Sequence, residues 1–224
     1  MAVTAFIAYR WNACARCRGE ERTLMFYLKR PGPEKIREFL TAQKHQKFSY
    51  APVGASRTQT PDDYVVDHNR IQLGDGRAAF ERAKDAINQW KMFDIPWLEL
   101  FWPSTPIEEG ATVVIAVSHL GFWSLNAARI VYTVEERGAL ERYGFAYGTL
   151  SDHAEMGEER FTVEFHPDDE SVWYDLYAFS RPQPLARLAY PFTRALQQRF
   201  ASDSKLAMQK AADKPERAHG MHEG

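Results

Sequence analysis

The stretch Tyr143–Phe165, YGFAYGTLSDHAEMGEERFTVEF, contains two segments with a period of two, joined by a polar turn. Successive side chains of a β-strand point to opposite faces of its sheet, so Tyr143, Phe145 and Tyr147 share one face. The opposite face of the same segment carries only small residues, Gly144, Ala146 and Gly148. Such a face lets a helix or a ligand approach the backbone, or it serves curvature alone. Both interpretations stay open from the sequence.

Four more segments with this period lie on either side of the stretch, and short turns separate them. Consecutive strands with such short connections form an antiparallel meander. The six predicted strands are Trp97–Trp102, Ala111–His119, Trp123–Glu135, Ala139–Leu150, Glu158–His166 and Ser171–Ser180.

Segments with the helical period of 3.6 lie on both sides of this meander. On the N-terminal side we expect a strand over Leu24–Lys29, a helix from Pro33, a strand over Tyr64–Leu73, and a helix that Asp75 caps. On the C-terminal side, an apolar stripe predicts a helix over Pro184–Ala212, which Pro191 should kink or split.

The composition restricts the class of protein. The chain has 224 residues, 45% of them hydrophobic, and a formal net charge of −2. This charge gives no electrostatic case for binding nucleic acid, and no run approaches the roughly 20 apolar residues of a membrane span. The only cysteines, Cys14 and Cys17, leave most of the chain free of thiols, which predicts a cytoplasmic protein without a disulfide scaffold.

The order of strand, helix, meander and long terminal helix resembles the helix-grip fold of START-like and birch-pollen-allergen-like proteins, an α+β fold. In that fold a curved antiparallel sheet, here of six to seven strands, wraps around the C-terminal helix, and a cavity lies between them. The resemblance therefore implies a cavity for a small molecule.

Five segments carry a more specific resemblance, to the family known as domain of unknown function nineteen-ninety. This resemblance implies a fold and transfers no catalytic residue. The segments are FSYAPVGAS (48–56), YVVDHNRIQLGDG (64–76), HLGFWSLNAARIVY (119–132), YGFAYGTLSDHAEMGEERFTVEF (143–165) and VWYDLYAFSRP (172–182).

Domain boundaries follow from where the periodic patterns begin and end. We expect one helix-grip domain over residues 24–212, preceded by a disordered leader over 1–23 and followed by a disordered tail over 213–224. Met25 begins the first strand-like segment, so either Met1 or Met25 could be the natural start.

The turn and strand around Glu159 concentrate ionisable groups at one rim of the predicted cavity. Glu159 shares a strand face with Phe161 and Val163, and a carboxylate on an apolar face has a raised pKa unless it is paired. With His153 on the adjoining turn it could form an acid–base pair. Alternatively, Glu159 pairs with Arg129 or Arg181 and only closes the sheet.

The sequence also contains a candidate metal site and two further polar residues that could border the cavity. His153, Glu155 and Glu158 lack the fixed spacing of a metal motif, so no metal and no cofactor is predicted. His119 continues an apolar strand face, and Asn126 shares a face with Ile130 and Tyr132, so both could line the cavity. The predicted ligand-binding residues are His119, Asn126, Arg129, Tyr147, Trp173 and Arg181.

Three functions remain open from the sequence. The first is binding of an apolar or aromatic small molecule in the cavity, which rests on the fold resemblance. The second is a hydrolase, cyclase or isomerase in which Glu159 and His153 act as acid and base. The third is an interaction module whose core is filled by its own side chains. Cavity volume separates the first two from the third, and the oligomeric state stays open.

Overall fold

The computed structural model describes residues 26–60, 62–153, 155–182 and 190–213. The predicted leader, most of the predicted tail, and both cysteines lie outside these residues. The elements are β1 (Phe26–Tyr27), α1 (Pro33–Gln43), β2 (Val65–Asp75), α2 (Arg77–Asn88), β3 (Leu98–Phe101), β4 (Thr112–His119), β5 (Phe122–Glu136), β6 (Glu141–Thr149), β7 (Glu155–Phe165), β8 (Ser171–Pro182) and α3 (Tyr190–Ala212). Short 3-10 helices lie at Ala55–Arg57 and Lys91–Phe93.

Seven strands form one antiparallel sheet in the order β2-β8-β7-β6-β5-β4-β3, and the short β1 pairs with β5. The run from β3 to β8 is the predicted meander. The strand β2 pairs with β8 along ten residue pairs and forms one end of the sheet. With α3 packed against the sheet, this is the helix-grip arrangement, and the predicted fold class is confirmed.

The two faces of the sheet are covered by different elements. The inner face, as we name it, packs against α2 and α3, where Phe145 and Phe161 of the sheet meet Ile87 and Met208 of the helices. The outer face packs against α1 and the loop at 44–60. There Ile36 of α1 lies among buried side chains of β4 and β5. The sheet is therefore buried on both sides along much of its length.

The C-terminal half of α3 is the part that holds the helix to the domain. Met208, Ser204 and Ala212 are fully buried. The Ser204 hydroxyl lies 2.9 Å from the Tyr174 hydroxyl of β8, and the Trp97 indole donates to Asp203 at 2.8 Å. The Arg82 guanidinium of α2 donates to the Ala212 carbonyl at 2.7 Å, which satisfies an acceptor at the helix end.

The prediction at the start of α2 is wrong. Asp75 does not cap α2, because it ends β2; Gly76 occupies the cap position with φ of +82°, a region that favours glycine. Pro191 is the second described residue of α3, and residues 184–189 of the predicted helix lie outside the described residues. The predicted kink or split at Pro191 therefore stays a prediction.

The small-residue face of β6 serves neither the terminal helix nor the cavity. It lies on the outer face, and a side chain at Gly148 would clash with the Tyr50 hydroxyl. The absence of a side chain therefore lets Tyr50 of the loop at 44–60 lie directly on the strand. A register shift in β5 between Ile130 and Tyr132 also breaks the predicted common face with Asn126, because Ile130 lies in the inner core and Tyr132 outside it.

Met208 gives a direct test of how α3 is anchored. Replacing Met208 by Ala should lower the free energy of unfolding by about 2–5 kcal/mol, because a fully buried side chain leaves a cavity when it is truncated. The control is Leu206→Ala on the same helix, since Leu206 is 58% exposed and should change stability little. Chemical denaturation followed by circular dichroism measures both variants. Equal small effects would contradict the anchoring role of Met208.

Candidate ligand-binding cavity

A cavity of about 680 Å³ lies between the N-terminal half of α3 and the inner face of the sheet. Where the C-terminal half of α3 packs tightly, the N-terminal half leaves this space open. The volume falls in the range of about 300–1,000 Å³ that small-molecule sites occupy. Its apolar lining comes from strands, the turn after α2 and α3: Phe93, Trp97, Leu98, Ile115, Val117, Leu176, Phe192, Leu196 and Phe200.

Glu159 and Tyr147 form the first polar group on the cavity wall. They are direct cross-strand neighbours on β7 and β6, and the Tyr147 hydroxyl donates to Glu159 Oε2 at 2.8 Å. Glu159 is followed on the same face by core residues, as the strand alternation predicts. Burial raises the pKa of the Glu159 carboxyl to about 8, against the smaller opposing effect of the Tyr147 hydrogen bond. At neutral pH this group is therefore largely a neutral acid.

A second polar group joins the sheet to α3. The Arg194 guanidinium forms a bidentate ion pair with Asp67 of β2 and donates to Gln197 Oε1 at 3.0 Å. The Gln197 amide in turn donates to Glu155 at 2.5 Å and to Ser180 at 2.8 Å. This sequence of contacts, which we call the helix chain, holds the open half of α3 over the cavity.

Glu155, at the end of the helix chain, also titrates near neutrality. Burial raises the pKa of its carboxyl to about 7, while Gln197 and Arg194 act in the opposite direction. Gly157 lies between Glu155 and Glu159 on the same strand face, so no side chain separates the two carboxyls along the cavity wall. Both carboxyls therefore border one space.

Three histidines border the cavity, and two of them, His119 and His153, are held neutral. Burial lowers the pKa of His153 to about 4 and also lowers the pKa of His119. His153 Nδ1 accepts a hydrogen bond from the Glu155 amide at 3.1 Å, so the neutral ring carries its proton on Nε2. The basic nitrogen of His153 is therefore already engaged.

Five of the eight predicted site residues line the cavity: Glu159, His153, His119, Asn126 and Tyr147. The other three predicted site residues, Arg129, Trp173 and Arg181, lie outside the lining on the outer face. Each of these three residues comes directly after a residue whose side chain faces inward. Because successive side chains of a strand point to opposite faces, the three side chains point away from the cavity. Their place in the predicted site is thereby corrected.

The outward residues have other partners. Arg129 donates to backbone carbonyls of the loop after α1, including that of Gln46 at 2.9 Å. Arg181 forms an ion pair with Asp63, and the Trp173 indole donates to Ser171 at 2.9 Å. The predicted pairing of Glu159 with Arg129 or Arg181 is therefore wrong, since Tyr147 is its hydrogen-bonding partner.

Glu158, the neighbour of Glu159, points to the outer face and is buried there. Its carboxylate accepts hydrogen bonds from the Tyr50 hydroxyl at 2.5 Å, the Gly54 amide at 2.7 Å, the Ser56 amide at 3.0 Å, and the Ser56 hydroxyl. These donors, which we call the outer clamp, hold the loop at 44–60 against the sheet. With Glu158 so engaged, the residues that the structure describes contain no group of three metal-ligating side chains.

Sequence reasoning did not identify Asp67, Arg194 or Gln197 as groups beside the cavity. A signal was present, because Arg194 and Gln197 are three residues apart and so lie on one helix face. The alternation of β2 also turns Asp67 and Asn69 to the same side, towards α3. What the sequence could not give is the pairing of β2 with β8, which brings Asp67 beside the cavity.

A family model described as Domain of unknown function (DUF1990) matches residues 49–207, which include every cavity residue named above. The chain belongs to this family. The resemblance predicted from the sequence is thus confirmed. Among the described residues, no helix is both long and apolar enough to cross a membrane.

Relatives from distant organisms share most of the chain. A "UPF0548 protein" of Dictyostelium discoideum is 37% identical over 207 residues, covering 84% of this chain and 95% of the relative. A "UPF0548 protein" of Deinococcus radiodurans is 38% identical over 200 residues, covering 84% of this chain and 99% of the relative. Among solved structures, human STARD10 aligns with a TM-score of 0.42 and 13% identity, covering 87% of this chain and 82% of that one.

The consecutive carboxyls Glu158 and Glu159 should respond in opposite ways to replacement by Gln. Glu158→Gln should lower the free energy of unfolding by about 3 kcal/mol at pH 7, because an amide cannot accept all the hydrogen bonds of the outer clamp. Glu159→Gln should leave stability unchanged near pH 5 and raise it relative to the wild type as pH increases to 8.

The direction of the stability change in Glu159→Gln follows from the pKa of Glu159. This pKa is about 8 in the folded chain and ordinary in the unfolded chain. Between these values the folded state binds more protons, so the wild type loses stability as pH rises, and the Gln variant lacks this loss. Thermal melts of both proteins at pH 5, 6, 7 and 8 measure the difference. A constant difference in melting temperature across this range would contradict a buried carboxyl at Glu159.

Proposed function

We propose that the chain binds an apolar or aromatic small molecule in the cavity beneath α3. The observation that carries this proposal is the cavity itself, with about 680 Å³ of space and a mainly apolar lining. Recognition sites for small molecules combine such a lining with a few placed polar groups. Here Glu159, Tyr147 and the helix chain supply those groups.

The volume favours binding over the interaction module with a filled core. A core filled by its own side chains leaves few voids larger than a water molecule. The described chain packs this tightly around Phe145 and Met208, which are fully buried. Partly buried Leu196 and Phe200 border the open space instead. The contrast between the two halves of α3 supports a site built for an occupant.

Filling the cavity tests this proposal. Ala178 of β8 lines the cavity and pairs with both Asp67 and Glu159, so its methyl group lies between their two strands. Ala178→Phe should weaken binding of the neutral fluorescent probe N-phenyl-1-naphthylamine at least about tenfold, a change of 1.4 kcal/mol. The matched control is Ala78→Phe on the exposed side of α2. Equal probe affinity in the two variants would contradict binding in this cavity.

A second candidate function is acid–base catalysis, and the Glu159 carboxyl is the observation that favours it. A pKa of about 8 places this group close to the operating pH of a general acid or base. The predicted partner His153 fits this role less well, because its Nδ1 is occupied and its pKa lies near 4. In this candidate the Glu159 carboxyl transfers the proton and Tyr147 orients it.

One extraction experiment separates the two candidates. Small molecules that copurify with the wild type and with Glu159→Gln are released by denaturation and identified by mass spectrometry. Binding alone predicts the same compound in both proteins. Catalysis predicts that the Gln variant retains a substrate that the wild type converts, since the amide cannot move the proton. Recovery of one identical compound from both proteins would argue against catalysis.

A further inference from the structure

The charged groups around the cavity are unevenly divided between acids and bases. Among the described residues, Asp67, Glu155 and Glu159 are acids that line the cavity, and Arg194 is a cation that contacts Asp67. Arg194 uses its guanidinium on both Asp67 oxygens and on Gln197. Within the described ranges, neither Glu155 nor Glu159 has an ion-pair partner of its own.

Each of these two carboxyls has one oxygen without a hydrogen-bonding partner among the residues the structure describes. Tyr147 occupies Glu159 Oε2, and Gln197 occupies Glu155 Oε2. Glu155 and Glu159 both line the cavity, and neither Oε1 is among the buried side-chain atoms that lack a partner, so both oxygens are accessible beside this space. An accessible carboxyl oxygen can accept a hydrogen bond from a donor on an occupant.

Resting on the function proposed above, we propose that the occupant is an organic cation: an apolar or aromatic body carrying a primary or secondary ammonium group that pairs with Glu159. An ammonium group supplies both a donor for the open oxygen and a positive charge, which no lysine or arginine supplies among the described lining residues. The rings of Phe93, Trp97 and Phe200 border the same space and suit the body of such a molecule. Fatty acids and other anions would instead meet two carboxyls.

Binding of a cation is coupled to release of a proton. With a pKa of about 8, Glu159 is mostly protonated at pH 7 and must ionise to pair with an ammonium group. The affinity for an amine should therefore rise from pH 6 to pH 8, while the affinity for a neutral analogue should not.

The other titratable groups facing Glu159 give a consistent picture over this range. They are Tyr147 of β6, Glu155 of β7, Tyr174 of β8, Asp67 of β2, Arg194 of α3, and the histidines His68, His119 and His153. His68 contacts Asp175 through Nε2. Burial raises the pKa values of both tyrosines far above neutrality, and the pKa values of His119 and His153 are lowered. Glu155 ionises near pH 7 and adds to the same trend.

Three ligands with one ring system provide the test: naphthylmethylamine, naphthylmethanol and naphthoate, each displacing N-phenyl-1-naphthylamine from the full chain at pH 8. The amine should bind at least about tenfold more tightly than the alcohol, and naphthoate should bind most weakly. In Glu159→Gln the preference for the amine should fall at least about tenfold, while the alcohol binds within about twofold of the wild type. Glu109→Gln, an exposed carboxyl outside the lining, should match the wild type.

Calorimetry on the wild type supplies a measurement that needs no variant. Titration at pH 7 in two buffers of different ionisation enthalpy should reveal release of close to one proton per amine bound and none per alcohol. Three results would each contradict the proposal that the occupant is an organic cation. They are naphthoate binding as tightly as the amine, an unchanged preference for the amine in Glu159→Gln, and no proton release on amine binding. If the neutral probe and the alcohol do not bind the wild type at all, the proposed binding function fails instead.

Discussion

The pleat of β7 imposes opposite environments on two consecutive carboxyls. Glu158 faces outward, where four hydrogen bonds from the loop at 44–60 surround it. Glu159 faces inward, where it has the Tyr147 hydroxyl and the open cavity. A shift of the β7 register by one residue would turn Glu158 inward and Glu159 outward. The register of β7 therefore determines both how the loop is held and which carboxyl borders the cavity.

A cavity of this size needs a helix that is held firmly at one end and spaced from the sheet at the other. The C-terminal half of α3 provides the hold through Met208 and the Tyr174–Ser204 contact. The helix chain provides the spacing, because Arg194 and Gln197 reach Asp67 and Glu155 through polar contacts rather than through packed apolar groups. Polar side chains thus stand where a filled core would place leucine or phenylalanine.

The sequence predicted much of this fold because strand alternation and turn chemistry are local properties. The inward direction of Glu159 and the meander both followed from a period of two. The predictions that failed depended on long-range contacts. The small face of β6 left a close approach and strand curvature both open, and only the packed chain identifies Tyr50 as a group that approaches. Likewise, the register shift in β5 separates Tyr132 from Asn126, and no local pattern marks it.

The polar groups of the cavity are hard to explain by folding alone. Burial of Glu159 and Glu155 raises the pKa of each, which means that their ionised forms are destabilised by the fold. A neutral amide or an aliphatic side chain at either position would avoid that cost. Groups that oppose stability are typical of functional sites, where the strain is relieved by an occupant. Since Asp67 pairs with Arg194, the described cavity carboxyls with raised pKa values, Glu155 and Glu159, both lie on the wall that β7 forms.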